Sequence, residues 1–301
     1  MRRALLIAGP TASGKSAVAL RLAERFGATI VNADSMQVYA DLRILTARPT
    51  AIEEAQAPHR LFGEVDGAIN YSVGHWSRRA REILAETVER PVIIVGGTGL
   101  YFRALTEGLS AMPAVSASVR DATRARAEDR PAADLHAELA EIDPDTAARL
   151  RPSDRQRTLR ALEVIAATGR PLASFLGARE KPALEPGQWR GLFLAPERRT
   201  LYQRIHARFD AMIALGALDE VAALAKRRLD TALPVMRAHG VPHIIAHLEG
   251  RLALTDAAEL TKLNTRHYAK RQFTWARHQL AGFEWVAPEQ AVEAGRRSLR
   301  A

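Results

Sequence analysis

Cysteine is absent from the 301 residues of the chain. This absence excludes disulfide bonds, thiolate zinc sites and cysteine nucleophiles. Any bound metal must therefore have oxygen or histidine ligands. The absence also fits a reducing compartment, and we expect a cytoplasmic protein.

Long hydrophobic runs are also missing. The longest have the length of a strand, such as Val92–Val95, and none approaches the roughly 20 residues of a membrane-spanning helix. The start of the chain resembles a signal peptide, but its apolar part is short and ends at Gly9-Pro10. We therefore expect a soluble protein that is not exported and has no membrane partner.

Acidic residues are too few to balance the basic ones, and the formal net charge is +9. A basic surface favours a polyanionic partner, because phosphate neutralisation releases counterions. Arginine carries most of this charge, and a GC-rich genome produces the same bias. Charge alone therefore does not identify RNA as the partner.

Short β-rich runs alternate with amphipathic helical stretches in the first third of the chain, with helices at Lys15–Phe26 and from Ser72 through Val88 to an end at Pro91. The expected strands are Ala4–Ala8, Ala28–Asn32 and a central Val92–Val95. This order predicts an α/β fold with a parallel sheet flanked by helices, as in P-loop NTPases.

Residues 112–188 have a different composition, which is rich in arginine and alanine and poor in residues that favour strands. A strand pattern returns at Trp189–Leu194, followed by long helices between Arg198 and Gln279 and a short strand at Phe283–Val286. The sequence thus predicts a core domain formed by residues 1–111 and 189–301. It is interrupted by an inserted all-helical lobe, residues 112–188.

A phosphate-binding motif follows the first predicted strand. The segment matches G-x-x-x-x-G-K-S/T and opens a predicted helix, which is the context that the motif requires. Glycines let backbone N–H groups approach phosphate oxygens, the lysine adds a positive charge, and Ser16 can bind Mg²⁺. We predict Mg²⁺ as cofactor and a diphosphate- or nucleotide-binding loop formed by Gly9, Pro10, Thr11, Ala12, Ser13, Gly14, Lys15 and Ser16.

Two features of nucleotide hydrolases are missing. The strand Val92–Val95 continues into Gly96-Gly97-Thr98-Gly99 rather than into a magnesium-binding aspartate. No guanine-reading Asn-Lys-x-Asp is present. These absences argue against an RNA-binding ATPase or a switch, but they leave open a small-molecule kinase that uses ATP.

Asp34 lies just past the second predicted strand. The carboxyl ends of parallel strands are where α/β sheets bind ligands, so Asp34 is expected to face the phosphate loop. From its position alone it could accept a proton, bind magnesium or cap a turn.

Five segments together resemble the bacterial tRNA dimethylallyltransferase family and occur in the same order. They are Gly9–Ser16, Asp34–Tyr39, Gly96–Tyr101, Gln156–Val164 and Ala269–Trp275. The resemblance implies transfer of a dimethylallyl group from dimethylallyl diphosphate to the N6 amine of adenosine 37, which lies 3′ of the tRNA anticodon. Diphosphate would be released.

The resemblance also implies roles for individual residues. Asp34 would take the proton from the amine, Lys15 would bind the diphosphate, Thr98 would lie beside the reacting centre, and Arg120 would contact RNA or diphosphate; these four are the catalytic candidates. The tRNA-binding candidates are Asp34, Ser35, Met36, Gln37, Thr98, Arg120, Gln156, Arg157, Thr158, Leu159 and Arg160. We expect a monomer that grips the anticodon stem-loop with the helical lobe.

The C-terminal helix mixes cations with aromatic residues, namely Arg266, Tyr268, Lys270, Arg271, Phe273, Trp275 and Arg277. This mixture suits RNA, and it suits almost as well a helix with solvated cations and a buried aromatic face; the family resemblance favours RNA. Two segments depart from the family pattern. Leu45-Thr46-Ala47-Arg48-Pro49 replaces Gly-Thr-Ala-Lys-Pro, and Ala238-His239-Gly240-Val241 replaces Ala-Ile-Gly-Tyr.

Overall fold

A computed structural model describes residues 4–87, 89–177 and 179–300. The strands in this part of the chain are β1 (Ala4–Ala8), β2 (Thr29–Asn32), β3 (His59–Arg60), β4 (Val92–Gly96), β5 (Trp189–Leu194) and β6 (Phe283–Val286). They form one sheet in the order β3-β2-β4-β1-β5-β6, and all pairs are parallel. The predicted parallel sheet is confirmed, with β4 inside it as expected. The two-residue strand β3 was not predicted, because it is too short to show a pattern.

Helices pack on both faces of the sheet, and helices also form the insertion. Those described are α1 (Lys15–Phe26), α2 (Ala51–Gln56), α3 (Val73–Glu86), α4 (Gly99–Thr106), α5 (Ala117–Ala127), α6 (Ala132–Ile142), α7 (Pro144–Ala147), α8 (Arg155–Thr168), α9 (Arg198–Ala214), α10 (Ala217–Lys226), α11 (Val241–Leu248), α12 (Leu254–Gln279) and α13 (Ala291–Arg300). None of them is long and apolar enough to cross a membrane.

The helix ends follow local sequence signals. Gly27 ends α1 with a φ of 62°, a left-handed conformation that glycine adopts without strain. Ser72 begins α3, because its hydroxyl accepts the N–H of His75 at 3.2 Å. This helix was expected to continue through Val88, which lies outside the described residues, and to end at Pro91. In the structure α3 ends at Glu86, and Thr87 is its C-cap.

Alternate side chains along each strand pack into two apolar layers, one on each face of the sheet. Leu5 and Ile7 of β1 pack with α1 and α13, whereas Leu6 and Ala8 pack in a larger core that includes residues of α3, α4 and α12. Successive side chains of a strand point to opposite faces, so one continuous apolar run fills both layers. The central strands are therefore fixed between two layers of helices.

The chain divides into two compact units. One extends through Thr106 and resumes at Pro182, and the other is Glu107–Lys181. The sequence placed the helical insertion at residues 112–188, so both of its ends lie earlier in the structure than in the prediction. The reason is that Leu184 is fully buried in the core of the sheet unit and its N–H bonds to the carbonyl oxygen of Leu105 at 2.9 Å.

Candidate active site at the carboxyl edge of the sheet

Three loops meet where β1, β4 and β2 end. These strands are neighbours, so the loops after Ala8, Gly96 and Asn32 share one edge of the sheet. The N–H of Ser35 donates to Oγ1 of Thr98 at 2.9 Å. The N–H of Thr98 in turn donates to the carbonyl oxygen of Ala33 at 3.0 Å. The structure thus brings the Asp34 and Thr98 segments together, as the sequence suggested.

Gly96 makes this meeting possible. A Cβ atom at this position would lie 2.1 Å from the backbone carbonyl carbon and oxygen of Ala33. Only glycine lets the two loops approach so closely. The glycine run after β4 is therefore a packing requirement of the site.

The segment Gly9–Ser16 turns sharply after β1 and enters α1 at Lys15. Ala12 and Gly14 have φ values of 63° and 90°, and the N–H of Ser13 donates to the carbonyl oxygen of Pro10 at 3.2 Å. The hydroxyl of Ser13 is buried and has no hydrogen-bond partner among the described residues. A buried polar atom without a partner is costly, so a ligand that bonds to it would stabilise the loop.

Lys15 is half-buried behind this loop, and its Nζ donates to the carbonyl oxygen of Pro10 at 3.3 Å. Burial lowers the pKa of its ammonium group to about 8, the negative charge of Asp34 raises it, and Arg208 lowers it. An anion bound beside the ammonium group would favour its charged form.

Asp34 has one carboxylate oxygen engaged and one exposed to the site. Its Oδ1 accepts the N–H of Met36 at 3.0 Å. No described residue donates a hydrogen bond to its Oδ2. This oxygen would lie 3.4 Å from a Cβ atom on Gly97, so it faces the loop after β4. The aspartate is thus held by a turn and keeps an acceptor for a substrate.

Asn32 holds this turn through hydrogen bonds to the backbone of Asp34. Asn32 had no predicted role in the site. It is fully buried. Its Oδ1 accepts the N–H of Asp34 at 2.7 Å, and its Nδ2 donates to the carbonyl oxygens of Asp34 and Leu61, each at 2.9 Å. Its own carbonyl oxygen accepts Nε1 of Trp76 at 2.8 Å.

Two further residues of the site come from distant helices. Gln272 of α12 accepts the N–H of Thr11 at 2.9 Å and donates to the carbonyl oxygen of Gly97 at 2.9 Å, so it joins two of the loops. Arg208 of α9 donates to Oγ1 of Thr11. Sequence reasoning gave neither residue a role. Gln272 stood within a family-like segment, but no local signal indicates Arg208.

A cavity of about 210 Å³ lies beside Asp34. One part of its lining is polar and includes Thr11, Asp34, Arg208 and Tyr268. The other part is apolar and consists of Met36, Leu45, Ile205, Phe209 and Met212. A lining that contains both kinds of side chain suits a ligand with anionic and hydrocarbon groups.

The aromatic and imidazole groups of the cavity are uncharged at neutral pH. Burial raises the pKa of Tyr268, and the charge of Asp34 raises it further. Burial lowers the pKa of His239, Arg271 lowers it further, and Asp34 opposes this shift. The rings of His239 and Tyr268 lie 4.7 Å apart. Asp34 is thus the negative group of the described cavity lining.

One wall of the cavity is a segment held by side chains. The carboxylate of Glu220 accepts the N–H groups of Arg43, Ile44 and Leu45 at 2.6, 2.7 and 2.8 Å. The amide nitrogen of Gln37 donates to the carbonyl oxygens of Thr46 and Ala47 at 2.8 and 2.9 Å. These bonds place Leu45 and Thr46 in the lining, and they engage the Gln37 amide that the sequence had assigned to tRNA.

The remaining predicted residues lie in the helical unit. Arg120 is on α5 and donates to the carbonyl oxygen of Val115 at 3.3 Å. Of the five candidates at the start of α8, Thr158 is fully buried and donates to the carbonyl oxygen of Asp154, and Leu159 packs on the apolar core. Gln156, Arg157 and Arg160 therefore provide the polar surface of this segment.

The aromatic residues of α12 mostly face the protein. A Cβ atom on Gly99 would lie 2.1 Å from the ring of Trp275, and the ring of Phe273 lies 5.5 Å from that of Phe193. Both rings are partly buried. Of the three aromatic residues, only Tyr268 lines the described cavity.

Comparison with known proteins identifies the family. The IPP transferase family model matches residues 37–279. A tRNA dimethylallyltransferase of Methylocella silvestris is 62% identical over 96% of this chain and 96% of its own length. One from Rhodopseudomonas palustris is 59% identical over 96% of this chain and 90% of its own length.

Solved structures agree with the sequence relatives. A full-length tRNA isopentenylpyrophosphate transferase of Bacillus halodurans aligns with a TM-score of 0.71 and 30% identity, covering 100% of this chain and 96% of its own. A eukaryotic dimethylallyltransferase captured acting on tRNA aligns with a TM-score of 0.80 and 25% identity, covering 99% of this chain and 78% of its own. The chain belongs to the IPP transferase family, and its matched relatives are named tRNA dimethylallyltransferases.

Proposed function

We propose that this protein transfers a dimethylallyl group from dimethylallyl diphosphate to N6 of adenosine 37 in tRNA. The observation that carries the proposal is the position of Asp34, with one carboxylate oxygen that accepts no described hydrogen bond, in the lining of a cavity that has both polar and apolar side chains. The relatives named above provide the reaction class. The alternative of a small-molecule kinase finds no relative among these proteins.

The phosphate loop and two cations would hold the leaving group. Burial lowers the pKa values of Lys15 and Arg208, and both residues lie close enough to Asp34 for its negative charge to oppose this shift. Arg208 also donates a hydrogen bond to Thr11 within the loop. As the bond between the prenyl carbon and the diphosphate oxygen breaks, negative charge accumulates on the diphosphate. Fixed cations and N–H groups at that position stabilise the transition state more than the ground state.

Asp34 would handle the proton of the nucleophile. The lone pair of an adenine amine is delocalised into the ring, so the amine attacks well only if an acceptor orients an N–H bond. A new bond forms between N6 and the prenyl carbon, the electron pair of the broken bond leaves with the diphosphate, and the N6 proton passes to Oδ2 of Asp34. General base catalysis of this kind contributes about 10²- to 10⁴-fold to a rate.

The apolar part of the cavity would take the hydrocarbon. Leu45 comes from the loop before α2, and Ile205, Phe209 and Met212 come from α9. Together they would exclude water from one side of the reaction. A cation-like prenyl carbon reacts readily with water, so this exclusion favours transfer to the amine over hydrolysis.

Mg²⁺ is part of the proposal because the residues present fit it. The Ser16 hydroxyl is exposed at the first turn of α1, at the mouth of the loop. Magnesium in phosphate sites is commonly bound by one or two protein oxygens together with phosphates and water, so one hydroxyl suffices. When bound, it would neutralise part of the diphosphate charge.

The helical unit would contribute to tRNA binding through α5 and α8. Arg120, Gln156, Arg157 and Arg160 place three cations and one amide there. Arg160 and Arg124 both approach the buried carboxylate of Glu163, which reduces the free charge of this surface.

A single assay tests the proposal. Purified protein is incubated with dimethylallyl diphosphate, magnesium and unmodified tRNA, and the tRNA is digested to nucleosides for mass spectrometry. We expect prenylated adenosine and an equal amount of diphosphate, and tRNA with guanosine at position 37 should give neither. ATP consumption with a small metabolite and no RNA product would support the kinase and refute the proposal.

A further inference from the structure

A second open concavity lies outside the cavity beside Asp34. It has a volume of about 520 Å³ and lies between the first two turns of α9 and the middle of α12. Its lining includes Glu197, Arg198, Arg199, Tyr202, His206 and Arg266. We call it the arginine groove.

The groove carries an excess of positive charge. In the described chain no carboxylate pairs with Arg198, Arg199 or Arg266. The one acidic residue of the lining, Glu197, uses its carboxylate to accept the N–H groups of Arg199 and Thr200, each at 2.7 Å. This carboxylate therefore begins the helix and does not neutralise the arginines by direct contact.

Two of the three guanidinium groups are held in place by one ring. Nε of Arg198 donates to the hydroxyl of Tyr202 at 3.1 Å, and the Arg198 guanidinium lies 5.2 Å from the ring centre. The Arg266 guanidinium lies 5.8 Å from the same centre and bonds to Nε2 of His206 at 3.2 Å. Pre-organised guanidinium groups lose little entropy when they bind phosphate, and their fork matches two phosphate oxygens.

The groove and the cavity beside Asp34 are built on the same two helices. Ile205 and Arg208 of α9 line the cavity, and His206 between them lines the groove. On α12, Thr265 and Tyr268 line the cavity, and Arg266 lines the groove. From Arg199 to Arg208 the helix rises about 13 Å.

We propose that the arginine groove binds phosphates of the tRNA strand that adjoins the base entering the cavity. The inference rests on the proposed function, because it takes the entering base to be part of a polynucleotide. The positive charge of the groove indicates phosphate as the ligand. Because the groove and the cavity are lined by the same two helices, the phosphates are expected to belong to the strand that carries the target base. The contact is independent of base sequence and serves to position the strand.

A double variant, Arg198→Ala with Arg266→Ala, tests the inference. Its matched control is Arg21→Ala with Arg25→Ala, which removes the same charge from an exposed part of α1 on the opposite layer of the sheet. Binding of tRNA is measured without prenyl donor over a range of KCl concentrations. The groove variant should bind more weakly, and the slope of log K against log salt should fall by about one to two, whereas the control should match the wild type.

Arg199→Glu supplies a second variant, because this side chain is exposed and makes no described contact that the fold needs. It should weaken tRNA binding without changing the thermal unfolding curve. Equal affinities and slopes in the groove and control variants would refute the inference. So would reduced affinity for free diphosphate with unchanged tRNA binding, since the groove would then be a small-anion site.

The test separates this inference from the proposed function. If the wild-type protein binds tRNA through the groove but never prenylates it, the proposed function fails and the groove assignment stands. If prenylation occurs and both double variants bind tRNA alike, only the groove assignment fails.

Discussion

At the scale of single residues, the site brings the carboxylate of Asp34 close to the cations of Lys15 and Arg208, and all three side chains are partly removed from water. The carboxylate of Asp34 influences the pKa values of Lys15, Arg208, His239, Tyr101 and Tyr268. Such clusters are typical of active sites, because burial and neighbouring charges set which groups are ionised. Two predictions follow from the two central members.

Lys15 should make donor binding dependent on pH. Its pKa of about 8 lies below the ordinary value of 10.5, so the free enzyme carries the ammonium charge below pH 8 and loses it above. A diphosphate binds the charged form, so above pH 8 binding requires proton uptake. The KM for the donor should rise with increasing pH, by up to about tenfold per unit, with kcat at saturation little changed. Lys15→Met should raise KM and remove the inflection; a wild-type KM that stays flat across pH 8 contradicts the assignment.

Asp34→Asn should separate chemistry from binding. The amide oxygen can still accept the N–H of Met36, so the turn is preserved, but the group no longer takes a proton. Single-turnover prenyl transfer should slow by about 10²- to 10⁴-fold, with the Kd for tRNA within a few-fold of wild type. Equal losses in rate and affinity would assign Asp34 to RNA binding instead.

At the scale of elements, side chains from helices fix the loops that follow the strands. Gln272→Ala would leave the partly buried N–H of Thr11 and carbonyl oxygen of Gly97 without this partner. We expect a loss of about 1–3 kcal/mol in the free energy of unfolding and a higher KM for the donor, measured by denaturant unfolding and steady-state kinetics. Thr274→Ala, an exposed change on the same helix, is the control. Unchanged stability and KM in the Gln272 variant would show that the loops do not need this connection.

Glu220 should control the shape of the cavity from α10. One oxygen of Glu220 accepts the N–H groups of Arg43 and Ile44, and the other accepts that of Leu45. Glu220→Gln replaces one of these oxygens by an NH₂ group, so one of the two sets loses its acceptor. The wall that carries Leu45 should loosen, so discrimination against donors with longer prenyl chains should fall while tRNA affinity is unchanged. Competition between dimethylallyl and geranyl diphosphate measures this effect. Asp219→Asn, exposed on the same helix, should leave the selectivity as it is, and equal selectivity in both variants would contradict the role of Glu220.

At the scale of the whole molecule, two units with separate apolar cores share one chain. The cluster of Ala127, Leu135, Leu139, Ala147, Ala161 and Leu162 lies within the helical unit, and the other described clusters lie within the sheet unit. A separate core is the usual requirement for independent folding.

Excision of residues 107–181 tests this division. Thr106 would be joined to Pro182, close to an existing hydrogen bond between Leu105 and Leu184. The shortened protein should unfold cooperatively and keep its affinity for diphosphate within a few-fold, but should bind tRNA more weakly. Circular dichroism and titration calorimetry measure both. An unfolded product would show that the sheet unit depends on the insertion.

Local signals in the sequence predicted most of the sheet unit. The strand Trp189–Leu194 and the helix Lys15–Phe26 have the predicted bounds, because apolar periodicity and glycine ends are properties of short segments. The boundaries of the insertion were displaced, since residues near Leu184 look irregular in sequence but pack in the core. On α12 the alternative of an inward aromatic face fits Phe273 and Trp275, which are partly buried against the core of the sheet unit.

The sequence by itself determined the tight turn between β1 and α1, the position of Asp34 after β2 and the family, because each depends on residue types at close spacing. Only the tertiary structure decided which distant side chains complete the site. Gln272 and Arg208 lie some two hundred or more positions from Thr11, and nothing in their own segments indicates that contact. The packing of α9 and α12 brings them to the loop, and such packing depends on the shapes of whole helices rather than on any local pattern.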